Sequence, residues 1–309
     1  MKITNNSLKR PWSTQMEMTF GCDNRCPMCY HQVLDKPIGE YQFMTPKTAK
    51  EIATKMNNAG WNGIRIEFAM RGEPTLNPNF TKNIKIFHKY LDKSSITAST
   101  NGNKLTPELV KEYYKAGGNV LVVDCYDGNL PEREKYYKQH GFTVTNYYED
   151  DFNPYARNPK AKVITLMDDV KTNSKKKRTR ILHNMAGNVD WSRVKYYGLK
   201  PLEKPIERKC VKPFREIIFL YDGTIPLCCQ DGDIKTHLGN IYHINDLNHF
   251  WQKNTRLNMS RLLLYNKRRD KLTPCNECDS IGGMRIGLLP KMKILTPQQI
   301  EKISRQLYK

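Results

Sequence analysis

The sequence predicts an α/β fold, a partial (β/α)6 barrel of the TIM type followed by a small α+β domain. Strand and helix patterns alternate over about the first 200 residues. Residues 120–126 are apolar and β-branched, which is typical of a parallel strand buried on both faces. Alternating βα units imply a parallel sheet with right-handed crossovers. Six units form an open barrel, whose functional residues lie at the carboxyl ends of the strands.

Strand and helix signals occur in regular order along the barrel. Six segments have strand patterns, at residues 15–20, 64–69, 95–100, 120–126, 142–147 and 180–184. Three intervening segments have helical signals, at residues 45–60, 80–91 and 106–118. The first helix is the clearest, because Thr45 is a good N-cap, Pro46 occupies the first turn and Gly60 ends it.

Four regions follow from these patterns. They are an N-terminal extension (1–14), the barrel (15–200), a small domain (206–285) and a C-terminal helix (290–309). In the small domain, residues 214–221 and 224–227 are predicted to form a β-hairpin around a tight turn at Asp222 and Gly223. Trp251 is expected in the core, and Thr296 with Pro297 starts the terminal helix.

Charge and hydropathy limit the location and the partners. Lys and Arg number 51 against 31 Asp and Glu, a net charge of +20. Such a field attracts nucleic acid, phosphorylated substrates or an acidic redox partner, unless the charges are spread over solvated faces. The densest basic run, 171–180, lacks the interleaved aromatic residues of single-strand nucleic-acid binding. No segment has the pattern of a membrane span or a signal peptide, so we expect a cytoplasmic protein without membrane contact.

Nine cysteines in such a protein indicate metal binding rather than disulfides. A C-x3-C-x2-C loop contains Cys22, Cys26 and Cys29. A second set comprises Cys210, Cys228, Cys275 and Cys278. A cubane iron–sulfur cluster normally takes four thiolates. Three plus four cysteines therefore suit one cluster with an open iron and one closed cluster, with zinc as the alternative at each set.

The C-x3-C-x2-C loop resembles the signature of radical S-adenosylmethionine (radical SAM) enzymes. The resemblance implies a 4Fe–4S cluster whose open iron is chelated by S-adenosylmethionine. Arg71-Gly72-Glu73-Pro74 resembles the family's GGEP motif, with Arg71 in place of the first glycine. By this resemblance Gly72 and Glu73 bind the amino group of S-adenosylmethionine. The remaining cofactor-binding residues it implies are Met28, Tyr30, Ser99 and Asn101.

The second cysteine set resembles the SPASM extension in its short "twitch" form, which holds one auxiliary 4Fe–4S cluster. Successive side chains on a strand point to opposite faces. We therefore predict that Cys228 is a ligand and that Cys229 is a small buried residue on the other side. Asp124–Gly128 resembles the family's V-S-x-D-G stretch, with Cys125 where serine is common. Cys125 is a candidate catalytic thiol that could donate hydrogen to a product radical, or else a small buried apolar residue.

The resemblance implies an enzyme that forms a 5′-deoxyadenosyl radical and removes hydrogen from a substrate C–H bond. The favoured outcome is a two-electron oxidation of a small polar substrate such as a sugar or aminocyclitol. The alternatives are modification of a peptide and, in another class, a zinc-stabilised nucleic-acid-binding protein. The enzyme would need an external electron donor such as flavodoxin or ferredoxin. His31, His183 and His237 are expected to be ordinary histidines.

Overall fold

The centre of the protein is a parallel sheet of seven strands, in the order β7-β8-β6-β5-β4-β1-β9. The computed structural model describes residues 9–29, 31, 33, 39–125, 128–146, 158–167, 183–194, 199–280, 289 and 292–308. The strands of this sheet are β1 (Ser13–Met16), β4 (Arg65–Phe68), β5 (Ser95–Thr100), β6 (Val120–Asp124), β7 (Val144–Asn146), β8 (Val163–Met167) and β9 (Glu216–Phe219). Two antiparallel pairs lie outside it, formed by β2 (Thr19–Phe20) with β3 (Gln42–Phe43) and by β10 (Thr224–Pro226) with β11 (His237–Asn240).

Nine α-helices lie within the described residues. They are α1 (Pro46–Asn58), α2 (Phe80–Tyr90), α3 (Pro107–Lys115), α4 (Leu130–Gln139), α5 (Trp191–Val194), α6 (Lys212–Arg215), α7 (Leu247–Lys253), α8 (Thr255–Tyr265) and α9 (Pro297–Leu307). Of the helices described, none is long and apolar enough to cross a membrane.

Local sequence explains the ends of the helices that cover the sheet. The Thr45 hydroxyl accepts a hydrogen bond from the Thr48 N–H at the start of α1, as expected of an N-cap before proline. Thr106 caps α3 in the same way. At α9 the Thr296 side chain and Gln299 form a reciprocal capping box. The helix starts predicted at these three threonines are therefore confirmed.

The barrel differs from the sequence prediction in two of its strands. The segment predicted as one strand at 15–20 divides into β1 and β2, and β2 pairs with β3. The strand predicted at 180–184 is not found at His183 and Asn184, which lie outside any strand. Residues 180–182 lie outside the described residues. The missed strand is β8, which lies between β6 and β7. All five of its residues are buried, which suits an inner position, whereas the three-residue β7 takes the edge.

The hairpin prediction is correct in its turn and in the positions of its two strands, and wrong in how those strands pair. Gly223 has a φ of +86°, and its N–H donates to the Leu220 carbonyl. However, β9 pairs in parallel with β1 and so becomes the seventh strand of the barrel sheet. Every residue of β9 is buried, as expected of a strand covered on both faces. The antiparallel hairpin of the small domain is instead β10 with β11.

The second half of the chain packs closely on the first. Trp251 is fully buried and meets the Trp61 ring edge-on, with the ring centroids 6.2 Å apart, so its predicted core position is confirmed. The Trp61 indole N–H donates to the Asn248 side chain at 2.8 Å. Helix α9 lies against α8 and buries Ile300, Ile303 and Leu307.

Candidate active site

A cavity of about 290 Å³ lies at the carboxyl ends of the barrel strands. Its lining contains eight of the site residues predicted from the sequence: Cys22, Cys26, Met28, Cys29, Gly72, Glu73, Ser99 and Asn101. The predicted residue Tyr30 lies outside the described residues. The structure therefore brings three separate sequence motifs to one cavity, as expected for the loops that follow parallel strands.

Backbone contacts hold the cysteine loop against the loop that follows β4. The Gly21 N–H donates to the Arg71 carbonyl and the Glu73 N–H donates to the Gly21 carbonyl, both at 3.1 Å. A Cβ atom at Gly72 would lie 2.2 Å from the Thr19 carbonyl oxygen, so only glycine fits there. The second position of the Arg-Gly-Glu-Pro motif is thus fixed by close approach of two backbones.

Arg71 forms a buried ion pair beneath this backbone contact. Its guanidinium donates to both carboxylate oxygens of Glu17, at 2.7 and 3.0 Å, and to the Gly232 carbonyl at 3.0 Å. It also lies over the Phe20 ring, 4.3 Å from the centroid. Burial raises the pKa of Glu17, while the positive charge of Arg71 opposes that shift. Arg71 therefore joins the cysteine loop to the small domain, a role that its place in the sequence motif did not reveal.

Glu73 is a buried hydrogen-bond centre between two barrel loops. One carboxylate oxygen accepts from the Thr75 N–H and hydroxyl and from the Thr100 hydroxyl; the other accepts from the Asn101 N–H at 2.7 Å. Burial raises the pKa of Glu73, and these hydrogen bonds oppose the rise. The carboxylate thus fixes the loop after β4 to the end of β5 and also lines the cavity.

Asn101 and the first loop cysteine are neighbours. The Asn101 amide donates to Asp23 at 2.7 Å and lies 3.7 Å from the Cys22 sulfur. Burial raises the pKa of Cys22 to about 12, and the nearby charges of Glu73 and Asp23 add to this rise. The hydrogen bond from the Asn24 N–H lowers the pKa, but by less. The thiol therefore keeps its proton unless a metal displaces it, as is usual for thiolate ligands.

The four cysteines of the second set are buried together. Cys228 lies close enough to Cys275 and Cys278 for their charges to affect its pKa, and Cys275 is affected in the same way by Cys210 and Cys278. The guanidinium of Arg269, itself buried, donates to the carbonyls of Cys278 and Ser280 at 3.3 and 2.7 Å. Burial raises the pKa of both Cys275 and Cys278, and the positive charge of Arg269 reduces that rise. Arg269 thus favours thiolates at this site.

The two cysteine sets fit different kinds of cluster. In the described part of the chain, no three His, Cys, Asp or Glu side chains converge tightly enough for a single metal ion. A cubane cluster binds each thiolate through a different iron, so its ligands need not meet at one point. The loop thiols are half-exposed to the cavity, whereas the second set is closed off. The donors therefore fit one cluster open to a ligand and one enclosed cluster.

Of the two remaining cysteines, Cys125 matches the alternative of a small buried apolar residue, whereas Cys229 is less buried than predicted. Cys125 is 0% exposed, packs in the hydrophobic core and is absent from the cavity lining. Cys228 and Cys229 lie beyond the end of β10 rather than on a strand, and Cys229 is half-buried and lines the cavity. The Lys212 ammonium donates to its sulfur at 3.1 Å. Among the histidines, His31 and His183 also line the cavity, and His183 lies 3.4 Å from Asp279.

Comparisons with known proteins agree with this arrangement. Residues 16–141 match the radical SAM superfamily, and residues 210–279 match the SPASM iron–sulfur cluster-binding domain. No curated protein matches the chain significantly. The solved structure of BtrN in complex with AdoMet and 2-DOIA has 20% sequence identity and a TM-score of 0.67, covering 88% of this chain and 94% of BtrN. Streptococcus suis SuiB bound to precursor peptide SuiA has 15% identity and a TM-score of 0.53, covering 89% and 76%. Identities this low establish a shared fold.

Proposed function

We propose that this chain, which carries a radical SAM domain followed by a SPASM iron–sulfur domain, removes a hydrogen atom from a C–H bond of a small polar substrate. The two domains imply a 4Fe–4S cluster, S-adenosylmethionine and auxiliary iron–sulfur binding. When bound, the cluster and S-adenosylmethionine together supply a radical able to attack an unactivated C–H bond. The observation that carries the proposal is that three loop thiols share one cavity with Gly72, Glu73 and Asn101.

The chain's own residues would hold these groups. Cys22, Cys26 and Cys29 would ligate the cluster that is open to the cavity. Glu73, whose second carboxylate oxygen has one described donor, would bind the ammonium of S-adenosylmethionine through a charge-assisted hydrogen bond. The second cysteine set, with Arg269 beside it, would hold the enclosed auxiliary cluster.

The rest of the cavity indicates the substrate class. Charged side chains of both signs reach its lining, including Glu67, Asp124 and Lys212. Amino and hydroxyl groups of a sugar or aminocyclitol would find complementary partners among them. BtrN, which shares the fold, was solved with AdoMet and 2-DOIA bound, and this supports a small ligand beside the cofactor.

Two alternatives carry less support. Modification of a peptide stays a prediction; SuiB, solved with a precursor peptide, shares the fold. A zinc-stabilised nucleic-acid-binding protein is disfavoured by the matches to two domains that bind iron–sulfur clusters. The basic run 171–180 that suggested it lies outside the described residues.

A radical SAM protein also requires an electron donor. We propose flavodoxin or ferredoxin for this role. An acidic carrier of this type would complement the net charge of +20.

The proposal is tested by anaerobic reconstitution with iron and sulfide, followed by S-adenosylmethionine and dithionite. We expect a brown protein with about eight irons, the content of two cubane clusters, that releases 5′-deoxyadenosine. Alanine at Cys22, Cys26 and Cys29 should remove about half of the iron and abolish this product. Cys125→Ala, a cysteine change away from the cavity, is the matched control. Zinc in place of iron, or no 5′-deoxyadenosine from the wild type, would contradict the proposal.

The sequence favoured two-electron oxidation as the fate of the substrate radical, and that outcome stays a prediction. One observation favours a second outcome. A thiol that belongs to neither proposed ligand set, that of Cys229, faces the same cavity as the loop cysteines.

A further inference from the structure

Cys229 contributes a thiol to the wall of the cavity. The residue is half-buried, in contrast to its fully enclosed neighbour Cys228. The Lys212 ammonium lies 3.1 Å from the Cys229 sulfur and holds it in place. Both side chains line the cavity that the three loop cysteines also line. A reactive group is therefore positioned where the substrate is expected.

The next residue independently indicates a ligand at this wall. Gln230 is only 8% exposed, and it lines the same cavity. Its side-chain carbonyl oxygen accepts no hydrogen bond within the described structure. Buried polar atoms are nearly always hydrogen-bonded, because leaving one without a partner is costly. The Gln230 side chain therefore places beside Cys229 a polar acceptor for which the described residues supply no donor.

Cys229 and the proposed cofactor-binding residues come from different parts of the sheet. Lys212 precedes β9, the strand that pairs with β1, and Cys229 with Gln230 follows β10. The proposed S-adenosylmethionine contacts follow β4 and β5 instead. A small molecule in the cavity would thus lie between the cofactor-binding loops and the Cys229 wall.

From this geometry we propose that Cys229 is a catalytic hydrogen-atom donor to the substrate radical. The inference rests on the proposed function, since it needs a carbon radical in the cavity. The S–H bond of Cys229 breaks homolytically, and the hydrogen atom forms a new C–H bond on the substrate carbon. Because an S–H bond is weaker than most aliphatic C–H bonds, the transfer is downhill. It leaves a sulfur radical on Cys229.

The thiol is restored by one electron from the low-potential protein donor and one proton from solvent. Over a turnover the substrate carbon loses one hydrogen and gains another, so the substrate is not oxidised. Two electrons are used, one to cleave S-adenosylmethionine and one to reduce the sulfur radical. The reaction class is a redox-neutral change at carbon, such as inversion of configuration. This outcome is an alternative to the two-electron oxidation predicted from the sequence.

The other candidate cysteine is excluded by its position. Cys125, predicted within the strand at 120–126, directly follows β6; it is buried in the core, and its N–H donates to the Met167 carbonyl at 2.7 Å. Its sulfur lies 3.8 Å from the Val123 carbonyl. Cys125 therefore serves as a matched control, because it is a cysteine outside the cavity lining and outside both proposed ligand sets.

The experiment uses the anaerobic holoenzyme in D2O without external thiols, with S-adenosylmethionine and dithionite and no added substrate. The probe is 5′-deoxyadenosine itself, analysed by mass spectrometry. In D2O the Cys229 thiol carries deuterium, so we expect monodeuterated 5′-deoxyadenosine from the wild type. The deuterated fraction should fall at least threefold in Cys229→Ser and Cys229→Ala and stay unchanged in Cys125→Ser. Equal deuteration in all four proteins would overturn the proposal. No 5′-deoxyadenosine in any of them would instead contradict the proposed function.

A second measurement needs no turnover. Iodoacetamide treatment of the anaerobic holoenzyme, followed by peptide mass mapping, should label Cys229 and leave Cys125 unlabelled. The iron content of Cys229→Ser should equal that of the wild type. Unlabelled Cys229, or loss of iron from Cys229→Ser, would show that this residue is inaccessible or a cluster ligand, and either result overturns the assignment.

Discussion

Removing the charge of Arg71 is expected to destabilise the protein strongly. The Glu17 side chain is 0% exposed, and Arg71→Met would remove the only guanidinium described as paired with its carboxylate. The substitution would also break the hydrogen bond from Arg71 to the Gly232 carbonyl. Breaking a buried ion pair by removing one partner costs about 3–5 kcal/mol, because the other charge stays desolvated. Replacing both partners avoids that charge, so Glu17→Gln with Arg71→Met should cost only about 1–2 kcal/mol for the lost hydrogen bonds.

The pH dependence has a definite sign. Burial raises the pKa of Glu17 and Arg71 opposes the rise, so without Arg71 the pKa climbs further. An acid whose pKa is raised by folding stabilises the folded state at low pH, and that stabilisation is lost as the pH rises through the folded-state pKa. The free energy of unfolding that Arg71→Met loses relative to the wild type should therefore be smaller at pH 5 than at pH 8. The double variant, which lacks the carboxylate, should not show this trend.

The assay is thermal unfolding of anaerobic protein, compared at equal iron content. For 309 residues, 1 kcal/mol shifts Tm by about 1.5 °C. Arg71→Met should therefore lower Tm by about 5–8 °C, and the double variant by about 3 °C or less. Lys138→Met breaks the exposed pair with Glu134 and serves as a control, with an expected shift below about 1 °C. A Tm for Arg71→Met within 2 °C of the wild type, a loss on the order of 1 kcal/mol, would refute the reasoning. So would a double variant whose Tm is no higher than that of Arg71→Met.

Three further predictions concern the proposed ligands. Glu73→Gln should weaken S-adenosylmethionine binding at unchanged iron content. The amide loses the charge, and because its oxygen keeps the three donors from Thr75 and Thr100, its NH2 group replaces the oxygen proposed to accept from the ammonium. Equal affinity in calorimetry would move the binding role elsewhere. Cys228→Ala should remove about four irons, one cubane cluster, yet preserve S-adenosylmethionine cleavage, as iron analysis and chromatography of 5′-deoxyadenosine would show. Cys229→Ala should keep all its iron. If Cys229→Ala loses iron and Cys228→Ala keeps it, Cys229 rather than Cys228 is the cluster ligand.

Short-range patterns predicted most of the barrel. Capping threonines before prolines located α1 and α3, and apolar runs located β4, β5 and β6. These signals depend on residues close in sequence. The edge of the sheet was harder, because nothing in Val163–Met167 shows that it lies between β6 and the earlier β7. Strand order is decided by long-range packing.

The cavity was predicted where residues belong to recognisable motifs, and missed where they act through distant contacts. The cysteine loop was found from its spacing, and Gly72 from the resemblance of its segment to a family motif. In the sequence Arg71 is recognisable only as a departure from its motif. Its buried ion pair could not be predicted, because its partners Glu17 and Gly232 are 54 and 161 residues away in sequence. Arg269 was missed for the same reason: its guanidinium binds backbone carbonyls, and a carbonyl has no sequence signature.

The place of Cys229 depends on a pairing that local sequence does not show. Alternation along an extended chain separates Cys228 from Cys229, but it does not indicate which of them meets the barrel cavity. That is decided by β9, which was predicted as half of a hairpin and instead pairs with β1 as the seventh parallel strand. This pairing carries Lys212, the first residue of the short helix α6 that leads into β9, to the cavity together with Cys229. The small domain thereby supplies the wall opposite the cofactor-binding loops, and changes there should alter the fate of the substrate radical rather than its formation.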